Sequence, residues 1–344
     1  MKKNNISHIL IACATLLVMG GMFNACSKSN NSGTKTTPPP SNPGGYDSSN
    51  QIQSSALVAY WGFNGNFDES KHNLVATTSS TAPTFTAGIK GQAYQGSGSS
   101  YLTVALGSSA SLFAATAFPS YTVSLWVNEP AEPIYAPSGN YTPGQGPEGL
   151  FFMYDAAGHQ DLLHMDIEPY DPTIPQEDTM SINAGFTITG ATTTGPYVGA
   201  GGIEGVVPNG HLDTAINQWT EIVMTYDGTS SEYTLYENGT AVGANSAWSA
   251  YANISPIQIL TGGLTSGYGS APVAGAIPLG SLNYTPAPTG FVIGAWCGTA
   301  GVGGFTPNQY TGSFKGALDE LRVYNVALDA SDVKSLYLLE KAGF

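Results

Sequence analysis

The chain has 344 residues, 24 acidic against 10 basic side chains, a formal net charge of −14 and one arginine, Arg322. That balance excludes nucleic acid and anionic membrane surfaces as partners, because both need clustered Lys and Arg to neutralise phosphate. Forty-three glycines and 22 prolines, spread along the chain instead of gathered in one tract, imply many short strands that each need a turn.

Residues 1–25 open with Lys2 and Lys3, continue through an apolar run over 9–19 and end at Asn24-Ala25 before Cys26. The run is too short to cross a bilayer as a helix and reads as a cleaved export signal. Ala25-Cys26 resembles the lipobox of bacterial lipoproteins, which implies lipidation at Cys26, although Phe23 stands where that motif usually has an aliphatic residue. Cys13 would leave with the signal and Cys26 would carry lipid, so only Cys297 would remain and no disulfide within the chain could form. Residues 26–53 are Ser, Asn, Thr, Gly and Pro with almost nothing apolar. They are expected to form a flexible tether that hangs an exported domain from the outer membrane, on the cell surface or the periplasmic face. The membrane is then touched only through the lipid anchor.

From residue 54 the pattern is all-β. Tyr121, Val123, Leu125 and Val127 alternate with Thr122, Ser124, Trp126 and Asn128, the period-two pattern of a strand with one buried face. Ile222, Met224 and Tyr226 repeat it up to Asp227-Gly228, and the strand from Glu232 to Glu237 meets Asn238-Gly239, a strong hairpin signal. The closing stretch 314–328 reads as a strand in which Asp319 shares a face with Leu321 and Val323, while Glu320, Arg322 and Tyr324 take the other. A carboxylate on the apolar face needs a partner or a metal. A helix follows from Asp329, a candidate cap, to about Leu339, with Val333, Leu336 and Tyr337 at helical spacing. Residues 129–213 and 245–289 lack alternation and are expected to be long loop insertions, where binding specificity would lie. No internal repeat is visible, which argues against a propeller or solenoid.

Three motifs carry a resemblance: Ala56-Leu-Val-Ala-Tyr-Trp-Gly-Phe-Asn-Gly-Asn-Phe-Asp68, Gln218-Trp-Thr-Glu-Ile-Val-Met-Thr-Tyr-Asp-Gly228, and Phe314-Lys-Gly-Ala-Leu-Asp-Glu-Leu-Arg-Val-Tyr-Asn-Val-Ala-Leu328. Together they are similar to the laminin-G-like, concanavalin A-like jelly-roll family over 54–341. The resemblance implies a sandwich of two antiparallel sheets with long loop insertions, a short C-terminal helix, and first and last strands side by side. It also implies a structural calcium ion, carried over by motif to Asp68 and Asp319 with Asn66. Lys71-His72 replace the usual Ser-Gly-Asn turn, and a lysine beside a cation is unfavourable. The alternative has Asp68 capping a turn, and Asp319 meeting a backbone amide or Lys71.

His164-Met-Asp166-Ile-Glu168 resembles the strand of laminarinase-type glycosidases, which places three carboxylates on alternate residues. Retaining hydrolysis needs two carboxyl groups roughly 5 Å apart, and His164 breaks the pattern at the nucleophile. Asp166 and Glu168 are therefore expected on a solvated face. Zinc or nickel on His159 and His164, with Asp161 and Asp166, is disfavoured because five-residue spacing turns the rings to opposite sides, which leaves an exposed pair. No serine-nucleophile elbow, phosphate loop or zincin motif occurs. Trp61, Trp126 and Trp219 are expected to pack against the sandwich, whereas Trp248, Tyr251, Tyr170, Tyr197 and Trp296 could form a platform for sugar rings. The stretch between Tyr268 and Tyr284 is the most site-like. These readings point to a non-catalytic, surface-tethered module that captures a glycan or polysaccharide beside outer-membrane uptake proteins. The alternatives are a glycoside hydrolase or lyase using Asp166, Glu168 and Glu148 or Glu177, or an adhesion protein with protein partners. A carboxylate-lined cleft would favour the enzyme, and a shallow aromatic strip the sugar-binding module.

Overall fold

The computed structural model describes residues 42–344 except 115, 131–143, 169–180, 187–204, 207–216, 242–252, 255–257, 261–262, 265–276, 279, 283, 285 and 309–310. Its strands are β1 Leu57–Trp61, β2 Ala76–Thr78, β3 Thr84–Ala87, β4 Gln92–Gln95, β5 Leu102–Ala105, β6 Tyr121–Asn128, β7 Gly144–Tyr154, β8 Leu163–Glu168, β9 Ser181–Gly185, β10 Gly205–Val206, β11 Thr220–Asp227, β12 Glu232–Glu237, β13 Thr240–Ala241, β14 Asn253–Ile254, β15 Gln258–Leu260, β16 Gly263–Leu264, β17 Ile277–Pro278, β18 Gly290–Ile293, β19 Gly312–Ser313 and β20 Ala317–Tyr324. Two helices, α1 Cys297–Ala300 and α2 Ala330–Lys341, complete it.

The first sheet runs β13-β12-β11-β6-β20-β4-β3, with β1 also on β20 and β14 on β12. The second runs β10-β9-β8-β7-β18-β5-β2, with β19 joining β7. All these pairings are antiparallel except β19 with β7. The fold is thus the expected all-β, jelly-roll-like sandwich, and its first and last strands do pair, from Leu57↔Tyr324 to Trp61↔Leu321. β15, β16 and β17 form a small third sheet within the stretch read as an insertion.

Alternation explains the core. Tyr121, Val123, Leu125 and Val127 of β6 face inward, as do Ile222, Met224 and Tyr226 of β11, and they meet Leu102, Phe151, Met165 and Phe291 of the second sheet. Trp61 sits edge-on to Phe291 with ring centroids 5.4 Å apart. Trp126, on the outward face of β6, is covered by α2 and stacks on Tyr337 at 5.6 Å. Both are buried as expected, whereas Trp219 is only half-buried.

Asp319 does not lie on the face the strict alternation gave it. The pairing of β20 with β6 slips between Asp319↔Trp126 and Arg322↔Ser124, so two residues of β20 oppose one of β6. Leu318 and Leu321 therefore both face the core, and Asp319 turns outward in line with Trp126. Glu320 is the bulged residue, at φ 48°, a left-handed conformation disfavoured for a side chain of its size. Its carboxylate holds it there: Tyr60 Oη donates to Oε1 (2.7 Å) and Arg322 Nη2 to Oε2 (2.6 Å).

The bulge opens a buried ionic network on the outer face of the first sheet. Arg322 donates Nε to Glu340 Oε1 (2.6 Å), Nη1 to Asn50 Oδ1 (3.0 Å) and Nη2 to Ser49 Oγ (3.1 Å). Its guanidinium lies 4.2 Å over the Tyr60 ring. Trp126 Nε1 donates to Glu340 Oε2 (2.7 Å), tying the far end of α2 to β6. Asp329 caps the near end by accepting the Asp332 N–H at 2.8 Å.

The segment 42–53, read as the end of the tether, instead belongs to the fold. Ser49 and Ile52 are buried, Ile52 among Leu57, Val223, Val333 and Leu336 under α2. Ser49 Oγ donates to Phe344 O (2.8 Å), while Tyr46 Oη and Gln53 Nε2 both donate to the Asp332 carboxylate. Composition suggested disorder because one isoleucine is a weak apolar signal. Polar side chains fastened to α2 supply the rest.

Glu221 is buried beside this network, and burial first, then the neighbouring Glu340, hold its carboxyl well above the usual carboxylate range. A raised folded-state value means that the folded protein binds the proton more tightly than the unfolded chain. Stability therefore falls as pH rises above the unfolded value near 4.5. Glu221→Gln should flatten that decline, with a slope change of up to about 1.4 kcal/mol per pH unit. Urea unfolding at pH 5, 7 and 9 checks it; parallel curves for the two proteins would refute it.

Candidate functional site

Helix α2 covers the outer face of the first sheet around Trp126, Val223 and Tyr236, whereas the outer face of the second sheet carries the polar residues singled out in the sequence. In β7 the adjacent Phe151 and Phe152 must point to opposite faces. Phe151 enters the core and Phe152 turns outward, where it packs with Tyr154, Val292, Ala295 and Cys297. His164 of β8 pairs with Phe152 in register and stacks on it, with centroids 5.9 Å apart and planes 17° apart. Trp296 closes the row from the other side at 4.5 Å. His164, Phe152 and Trp296 thus form a continuous aromatic strip, in which His164 and Phe152 are buried and Trp296 is half-buried.

Polar atoms of the strip and of the segments next to it make no hydrogen bond among the described residues. His164 Nδ1, Trp296 Nε1, Asp161 Oδ1 and Thr299 Oγ1 are buried and make no hydrogen bond among the described residues. Asp166 follows two residues after His164 on the same face, opposite Gly149. A Cβ on Gly149 would come 2.4 Å from Ala295 C, so glycine lets the chain leading to Trp296 lie against β7.

Several expectations need correction. His159 and His164 are not an exposed pair: both are buried. His159 belongs to the loop before β8, where its Nδ1 lies 2.6 Å from Asp155 Oδ2, and Asp155 also accepts the N–H groups of Ala157 and His159. Asp166 is fully buried, not solvated. Glu168 ends β8, but its side chain lies outside the described residues, as does Glu177. Glu148 cannot serve as a carboxylate partner for Asp166. Its register neighbour Ile167 points into the core, away from Asp166, and its carboxylate accepts Lys315 Nζ (2.6 Å) and Lys315 N (2.9 Å). Cys297 donates to Gln160 O (3.2 Å), and burial with the nearby Asp161 pushes its thiol well up, away from a nucleophilic thiolate.

Of the platform candidates, the structure places Trp296, half-buried, on the strip. Tyr170, Tyr197, Trp248 and Tyr251 lie outside the described residues, as do Cys26 and Tyr268. Tyr284 is buried in the core and donates its hydroxyl to Leu162 O (2.9 Å), so it offers no platform. Phe152 escaped notice because Leu150-Phe-Phe-Met-Tyr154 reads as core throughout. The signal was there in two adjacent rings, since a strand cannot bury both on one face.

The calcium residues separate by environment. Asp68 is exposed, and its Oδ1 accepts the Ala76 N–H (2.9 Å); Asn66 Oδ1 accepts the Asp68 N–H (3.0 Å). Asp319 is buried, with Oδ1 accepting Glu320 N–H (2.9 Å) and Oδ2 accepting Lys90 N–H (3.1 Å). Its carboxyl is pushed up to about 8, by burial first and then by Glu320. The donors are the hard oxygens calcium prefers, and each holds a backbone amide. Among the described residues no group of three or more His, Cys, Asp or Glu could hold a metal ion.

No protein-family model and no curated protein matches the chain. Among solved structures, it is similar to domain 4 of AbnA, a GH43 extracellular arabinanase from Geobacillus stearothermophilus, in complex with arabinotriose. That match has 19% identity and a TM-score of 0.44, and covers 81% of this chain and 97% of that one. Trypanosoma rangeli sialidase matches at 11% identity and TM-score 0.41, over 83% of this chain and 33% of that one. The SAP-like pentraxin of Limulus polyphemus matches at 14% and 0.34, over 63% and 69%.

Proposed function

We propose that this protein is a non-catalytic recognition module that binds a glycan on the outer face of its second sheet. The observation that carries this reading is the half-buried Trp296, the accessible end of the row His164–Phe152–Trp296, beside polar atoms that make no hydrogen bond among the described residues. A sugar ring offers a C–H face that can stack on the accessible part of the Trp296 indole. The finer reading follows the sequence: an export signal, lipidation at Cys26, attachment to the outer membrane, and delivery of polysaccharide to uptake proteins. A structural calcium on Asn66, Asp68 and Asp319 belongs to the same proposal.

A glycan array on residues 42–344, run with calcium and with chelator, tests it. Binding to a defined glycan class is expected, with Trp296→Ala weakening it at least tenfold, about 1.4 kcal/mol. Weaker binding or a lower Tm in chelator would support the calcium. Release of reducing sugar from any bound polysaccharide would overturn the non-catalytic reading, and unchanged binding by folded Trp296→Ala would overturn the site.

A further inference from the structure

A second feature lies on the first sheet, independent of the strip. β6, β20 and β4 align in one cross-strand row, Asn128↔Ala317↔Gln95. The neighbouring row, Val127↔Leu318↔Tyr94, faces the core, so this one faces outward. Trp219, just before β11, extends it past Asn128, because Thr220 pairs with Val127. The middle of the row is low. Ala317 has only a methyl, and Gly316 beside it has none, since a Cβ there would come 2.3 Å from Asn128 O. A trough of about 140 Å³ results, floored by Gly316 and Ala317 and walled by Trp219, Asn128 and Asn217 on one side and by Gln95 and Thr86 on the other.

The chemistry of the walls is selective. In a chain of net charge −14, none of the lining residues is ionisable. Carboxamides both donate and accept, matching the alternating capacity of sugar hydroxyls, and the half-buried Trp219 supplies one aromatic surface. Gln95 is fixed by donating Nε2 to Lys315 O (2.9 Å) and Gly316 O (3.3 Å), so its wall is rigid before any ligand arrives. Gly316 O also accepts Gly96 N–H (2.8 Å), which leaves the floor poorly placed to pair with an extended peptide.

We infer that the trough bounded by Trp219, Asn128 and Gln95 is a binding site for a neutral saccharide residue, separate from the strip at Trp296. The test uses the mature chain with an array of neutral and acidic oligosaccharides, and then titration of whichever neutral one binds. Ala317→Met, which fills the floor, and Trp219→Ala should each weaken that binding at least tenfold while Trp296→Ala leaves it unchanged. The inference fails if both trough variants fold and bind like the parent, if only acidic glycans bind, or if a peptide competes the saccharide off. Should both variants unfold, the Trp219 indole N–H resonance of the parent gives the answer. A shift on titration supports the site, and none overturns it. Loss confined to Trp296→Ala would remove the trough and leave the strip.

Discussion

Arg322→Met should lower the unfolding free energy by about 3–5 kcal/mol, the usual cost of removing one member of a buried ion pair. Arg322 is the chain's single arginine and is fully buried, with Glu320, Glu340, Ser49 and Asn50 as hydrogen-bond partners. Without it, the buried Glu340 loses its counter-charge, Glu320 keeps only the longer contact with Lys90 Nζ (3.5 Å), and the left-handed Glu320 loses a partner that holds the bulge. Lysine is no substitute, because a point charge cannot meet four acceptors spread around a planar fork. Arg322→Met combined with Glu340→Met should recover part of the loss, with a coupling of about 0.5–3 kcal/mol in a double-mutant cycle. Strictly additive effects in urea titrations would show that the pair does not act as one unit.

Removal of residues 42–52 should cost about 4 kcal/mol or more. Burying one isoleucine is worth about 1.5–3 kcal/mol, and each hydrogen bond to a charged group adds about 1.5–3 kcal/mol. The deletion takes away Ile52, both N-terminal acceptors of Arg322, and the Tyr46 donor to Asp332. A chain starting at residue 42 should therefore melt well above one starting at 53. Equal Tm values would mean that the segment is only a tether after all.

The stretch 314–341 was the most legible part of the chain, because period-two and helical spacing each dominate where one face is buried. What failed there was a single step of register. Leu318-Asp-Glu-Leu321 places apolar residues three apart in a strand, and that break in alternation marks the bulge. The strip was half legible. Trp296 and His164 stood out as residue types, but their union depends on Phe152, hidden within an apolar run, and on a glycine, Gly149, that lets a distant segment approach. The trough was not legible at all: it arises from what Ala317 and Gly316 lack, and from a cross-strand row assembled from three separate strands.

The docking of Ser49 and Ile52 beneath α2 also sets the two candidate surfaces apart. The segment 42–53 packs on the α2 side, behind the first sheet, so the strip on the second sheet occupies the opposite flank. The strip and the trough at Trp219 therefore lie on opposite flanks of the sandwich, and the trough shares its side with the segment 42–53.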